Sequence, residues 1–102
     1  MAIFYNIYTD LDMDILRRKS EIAAKGTQDL WEDWWVSDDL GPFHEEIMEE
    51  YGVQKGFKTS MGSRHSKDHS VEARAKLIEF YDSLPGRKLI LNGDSFVDYR
   101  ES

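Results

Sequence analysis

The run from Ile3 to Tyr8, Ile-Phe-Tyr-Asn-Ile-Tyr, is apolar or aromatic at every position but Asn6. In extended chain, successive side chains point to opposite faces, so a run of this kind is at home only where at least one face is out of water. The pattern predicts a strand, central in its sheet, around which the remaining residues must pack. The strand ends at Thr9-Asp10. With 102 residues, 40% of them hydrophobic and 13% aromatic, the chain can build one core and too little for two, so a single compact domain over 1–102 is expected.

After the strand, Thr9 is a candidate helix cap, with Asp10 and Asp12 placed well for the dipole. Leu11, Ile15, Leu16, Ile22 and Ala23 then recur at helical spacing until Gly26, which predicts a helix over about 10–25. From Thr27, the spacing of Leu30, Trp31, Trp34 and Trp35 fits one stripe of a short second helix. Gly41-Pro42 opens a third, with Phe43, Ile47, Met48 and Tyr51 on one face and Gly52 at its end. Residues 53–69 read as a long polar, basic loop or a weak hairpin, with Phe57 and Met61 as its apolar anchors.

Ser70 is read as the cap of an amphipathic helix that presents Ala73, Leu77, Phe80, Tyr81 and Leu84 on one side and stops at Pro85-Gly86. Lys88–Leu91, Asn92-Gly93 and Ser95–Tyr99 carry the signal of a β-hairpin; with Asp94 as a third turn residue, Lys88 would face Asp98 and Ile90 would face Phe96. The fold expected is α+β. A small three-stranded, mostly antiparallel sheet, made of the N-terminal strand and the C-terminal hairpin, packs against about four helices in the order β-α-α-α-loop-α-β-β.

Charge is distributed unevenly. The net charge is −7, and between Lys25 and Lys55 there is no lysine or arginine. That interval holds Asp29, Glu32, Asp33, Asp38, Asp39, Glu45, Glu46, Glu49 and Glu50 together with all three tryptophans. On a helix, Glu45 and Glu46 repel Glu49 and Glu50 four residues on, at roughly 0.2–0.5 kcal/mol per pair, and the latter two lie at the unfavourable end of the dipole. A concentration of carboxylates beside large aromatics suits a surface that meets a basic partner. The candidate partner-binding residues are therefore Glu32, Asp33, Trp34, Trp35, Asp38, Asp39, Glu45, Glu46, Glu49 and Glu50, with Phe43 as a further anchor. The tryptophan stripe also fits a core or a homodimer contact.

Nucleic acids and anionic membranes both demand exposed Lys and Arg, so the overall balance disfavours direct binding to either. The alternative anion-binding set is Lys55, Lys58, Arg64 and Lys67 in the basic loop, where Phe57 alone is available for base stacking. Asp10, Asp12, Asp14 and Glu21 have the spacing of calcium-loop ligands, but Ile15 stands where a glycine is needed. His65 and His69 have the spacing of two metal ligands on a helix turn, in a stretch with little helical character. No catalytic, metal or cofactor motif survives these tests.

Without cysteine, the chain has no disulfide framework or thiol nucleophile, and it has neither a leader-like start nor an apolar run long enough to span a bilayer, which points to a reducing cytoplasm. Small acidic, cysteine-free proteins of phage or plasmid origin that block host nucleases and immune effectors share this general character, a likeness of type rather than of family. The function expected is thus a protein-binding module, an anti-defence inhibitor or nucleic-acid mimic that occupies a basic groove of a nucleic-acid-binding effector. An accessory protein that contacts nucleic acid through 55–67, or a small metal-dependent regulator, is the alternative.

Overall fold

The computed structural model describes residues 2–41, 44–54 and 56–101. Its centre is β1, Ala2–Thr9, which pairs antiparallel on one side with β3, Thr59–Ser66, and on the other with β4, Lys88–Asn92. β2, Asp33–Ser37, extends the sheet beyond β3, and β5, Ser95–Arg100, extends it beyond β4. The strand order is β2-β3-β1-β4-β5, and every neighbouring pair is antiparallel. Three α-helices are described: α1, Met13–Ala24; α2, His44–Glu50; and α3, Ser70–Ser83. β1 and β2 flank β3, and β3 and β4 flank β1, so α1 and α3 each serve a split β-α-β unit.

Several parts of the expected fold are corrected. The sheet has five strands rather than three, with three α-helices among the described residues rather than about four. The tryptophan segment is a single 3₁₀ turn, Gln28–Leu30, followed by strand β2. Its spacing fits a helical stripe, but Trp-Trp-Val is also β-forming, and pairing with β3 decides the matter. The second half of the expected basic loop is β3, buried at Thr59, Ser60, Met61, Gly62, Ser63 and His65. Its small polar residues hide a strand because the bulk comes from its neighbours: Ser63 lies between Trp34 and Tyr5, and Gly62 between Trp35 and Asn6.

Both faces of β1 are used, which is why its sequence runs apolar without a clean alternation. Tyr5 and Ile7 point toward α1 and α3 and form one core with Leu16, Met61, Leu77, Phe80, Tyr81 and Ile90. On the opposite face, Tyr8 packs with Leu89, Leu91, Val53, Phe57 and Met48 of α2. α1 begins after Asp12 rather than at Thr9, whose hydroxyl instead shares a 2.6 Å hydrogen bond with Thr59 across the ladder. Leu16 and Ser20 are its buried residues, while Ile15 and Ile22 are exposed. The expected start of the third helix, Pro42 and Phe43, lies outside the described residues.

The hairpin forms, with a different register. Asn92 faces Ser95 around a tight Gly93-Asp94 turn, Leu91 faces Phe96, and an irregularity between Ile90 and Leu91 puts Ile90 opposite Asp98 and Lys88 opposite Arg100. The extra residue, Val97, joins the α1/α3 core. Lys88 is therefore no cross-strand partner of Asp98.

It is 3% exposed, and its Nζ donates to the carbonyls of Tyr81 at 2.7 Å, Leu84 at 2.6 Å and Asp82 at 3.3 Å. These acceptors lie at the end of α3, where, among the described residues, only the Tyr81 carbonyl also takes a backbone N–H, that of Leu84 at 3.1 Å, and an ammonium has three protons to give them. The Tyr81 hydroxyl returns a bond to the Lys88 carbonyl at 3.1 Å, and its ring centroid lies 4.9 Å from Nζ. Burial, and then the neighbouring Arg100 charge, pull the Lys88 ammonium below its usual range. Arg100 is itself neutralised by Asp82 at 2.6 Å and Asp98 at 2.9 Å. Lys88→Met keeps the stem but takes the donor from the buried Leu84 carbonyl and the second donor from the Tyr81 carbonyl, which keeps the Leu84 N–H, so it should lower unfolding stability by about 2 kcal/mol in urea titrations.

Candidate binding surface

β2 is an edge strand, and its alternation separates two adjacent tryptophans. Trp34 turns to the helical layer, 6.1 Å from the Phe80 ring and 4.9 Å from Trp31. Trp31 lies in the same cluster, and its indole N–H donates to Thr27 Oγ1 at 3.1 Å. Trp35 turns the other way and lies across Gly62, so closely that a Cβ at that glycine would overlap the indole ring. It remains 36% exposed.

Phe4, on the same face of the sheet, is 43% exposed, and the Arg64 guanidinium carbon stands 6.0 Å from its ring centroid. α2 leaves this part of the sheet open because its anchors lie elsewhere. Met48 packs with Tyr8, Leu89 and Leu91, and Tyr51 packs at a tilt against Phe96 and donates its hydroxyl to the Asp94 carbonyl.

The acidic candidates run from the edge strand beside that open area through the link and onto α2. Asp33 is on β2, Asp38 and Asp39 are in the link to α2, and Glu45, Glu46, Glu49 and Glu50 are on α2; all are exposed, as is Glu32 just before β2. The link is held by its own short bonds, Asp39 N–H to Ser37 Oγ at 2.9 Å and Gly41 N–H to Asp39 Oδ1 at 3.0 Å. Asp33 Oδ1 accepts from the Trp34 N–H at 2.9 Å. Among the described residues, Glu32, Asp33, Asp38, Asp39, Glu45, Glu46 and Glu50 form no ion pair. Ion pairs elsewhere join Lys58 to Asp12, Lys76 to Glu79, Arg87 to Asp10, and Arg100 to Asp82 and Asp98.

The alternative basic set is not brought together. Lys58 precedes β3 and pairs with Asp12 at 3.7 Å, whereas Arg64 and Lys67 are at the far end of the strand, about 20 Å away at the rise of extended chain. Lys55 lies outside the described residues. Asp10 is engaged by Arg87 through two bonds at 3.0 and 3.1 Å, and among the described residues no group of three or more His, Asp or Glu side chains could hold a metal. The surface residues that sequence reasoning missed are Phe4 and Gly62. The period-two spacing of Phe4, Asn6 and Tyr8 was the available sign of a second sheet face.

His65 and His69 diverge rather than converge: His69 is exposed, while His65 is fully buried between Tyr5, stacked at 5.8 Å, and Trp31, edge-on at 6.1 Å. Among the described residues, neither His65 ring nitrogen has a hydrogen-bond partner, and burial holds its pKa below the ordinary 6.5, with the Glu32 charge opposing and His69 adding to the shift.

No protein-family model matches the chain, and neither the curated proteins nor the solved structures searched contain a match. Function must therefore be argued from the surface itself.

The depressed His65 pKa has a thermodynamic consequence. The unfolded chain binds a proton below pH 6.5 that the folded state resists, so the stability due to neutral His65 is complete above 6.5 and is lost as pH falls through the lower folded value. Urea midpoints should drop between about pH 7.5 and about pH 5.5, and His65→Leu should flatten that dependence.

Proposed function

We propose that the protein is a binding module that docks a basic surface of another macromolecule through the side formed by β2, the 38–41 link and the outer face of α2. The supporting observation is that, among the described residues, the carboxylates of Asp33, Asp38, Asp39, Glu45, Glu46 and Glu50 are exposed and in no ion pair, on elements whose apolar side chains, Trp35 apart, are committed to packing. Like charges repeated at four-residue spacing in α2 cost the helix roughly 0.2–0.5 kcal/mol per pair, and a facing set of lysines and arginines offsets that cost.

The partner of this chemistry is a protein whose basic groove ordinarily receives phosphates, and the mode of action is inhibition by occupancy. An anti-defence role against a host nuclease or immune effector is the particular form of this reading that we favour. Direct nucleic-acid binding through Lys58, Arg64 and Lys67 ranks below it, because these cations are dispersed along β3 and Lys58 is already paired.

The test is affinity capture from lysate, with and without nuclease, using the wild type and a variant with Glu45, Glu46, Glu49 and Glu50 all changed to Gln. A partner that survives nuclease and loses at least about tenfold in affinity with the variant is the expected result. Partners that disappear with nuclease yet persist with the variant would place binding on the basic residues instead.

A further inference from the structure

The open area of the sheet has a construction that narrows the partner's chemistry. Gly62 supplies a flat bed of backbone on which the Trp35 indole rests, so one face of the ring is fixed and the ring remains 36% exposed. Asp33 lies two residues away on the same face of β2, about 7 Å along the strand; its Oδ1 accepts the Trp34 N–H, and among the described residues its carboxylate makes no ion pair even though Arg64 is its cross-strand neighbour. The sheet already holds one guanidinium against an aromatic ring, Arg64 on Phe4.

We infer that Trp35 and Asp33 together form a seat for an arginine side chain of the basic partner, with the guanidinium stacked on the indole and its N–H groups directed to the carboxylate. The inference rests on the reading of the acidic side as a docking surface and adds to it a preference among cations. A planar guanidinium can stack and donate in its own plane at once, whereas an ammonium is a hydrated point charge that gains less from the ring. A nucleobase could also stack on Trp35, but its phosphates would then meet Asp33, Asp38 and Asp39, which disfavours that occupant.

Blocked nona-arginine, blocked nona-lysine and a ten-residue oligothymidylate serve as probes of the intact protein, with affinity and the tryptophan indole N–H resonances as readouts. The arginine peptide should bind about three- to fivefold more tightly than the lysine peptide and shift the Trp35 resonance selectively. Trp35→Leu should remove that preference while leaving charge-driven binding, and Gly62→Ala, which lifts the ring from its bed, should do the same. Equal binding of both peptides with an unmoved Trp35 resonance would overturn the arginine seat and leave the acidic docking surface standing, provided the four-Gln variant weakens both. Failure of either peptide to bind would count against both readings. Oligothymidylate binding that shifts Trp35 would make the area a base-stacking platform and overturn both.

Discussion

Two adjacent cations, Arg87 and Lys88, hold the layers of this protein in register. Lys88 gives its three protons to carbonyls at the end of α3, so that the helix is tied to the first residue of β4. Arg87 points elsewhere: it grips Asp10 beyond the end of β1, bonds the Gln54 carbonyl, and lies 3.9 Å from the centroid of the Phe57 ring. The helical layer, the β1–α1 junction and the segment leading into β3 therefore meet at one dipeptide. Lys88 is buried among acceptors that are costly to leave alone, and Arg87 has bidentate geometry with a ring against it, so neither resembles a screened surface pair.

With the layers fixed, the sheet's two faces have different fates. One is covered by α1 and α3 over its central strands. Among the described residues, the other is covered where α2 and the segment through Phe57 lie over β1, β4 and β5, which leaves Trp35 and Phe4 exposed and Arg64 half-buried at the β2 side. α2 thus acts twice, closing half of a face with Met48, Ile47 and Tyr51 while presenting its glutamates outward. Asp33, Asp38 and Asp39 border the uncovered half because β2 carries the first and leads directly into the link that carries the other two. That adjacency, rather than the acidic count alone, supports a docking role.

How far the sequence carries depends on which forces acted at each segment. β1, α3 and the hairpin were legible because their side chains alone specify them: an apolar run, a four-residue stripe from Ala73 to Phe80, and an Asn-Gly signal. β3 was not, because Thr-Ser-Met-Gly-Ser-Arg-His-Ser owes its burial to Tyr5, Trp34 and Trp35 on other strands. β2 was misread for a related reason, since aromatics at short spacing satisfy helical and extended periods alike until a neighbouring strand is available. The hairpin register missed the bulge at Val97, and Lys88 gave no local sign that its partners would be helix carbonyls. The acidic surface was readable as residues. Its border with an aromatic sheet face was not, since that depends on Gly62 admitting Trp35.

The central claim is that extended pairing of β2 sends Trp34 into the core and Trp35 to the open face. Hydrogen exchange of the three indole N–H groups, followed by NMR, tests it most directly. The account predicts fast exchange at Trp35 only, with Trp34 protected by burial and Trp31 by burial and its bond to Thr27. Slow exchange at Trp35, or Trp34 exchanging as fast as Trp35, would contradict the strand and the surface built on it.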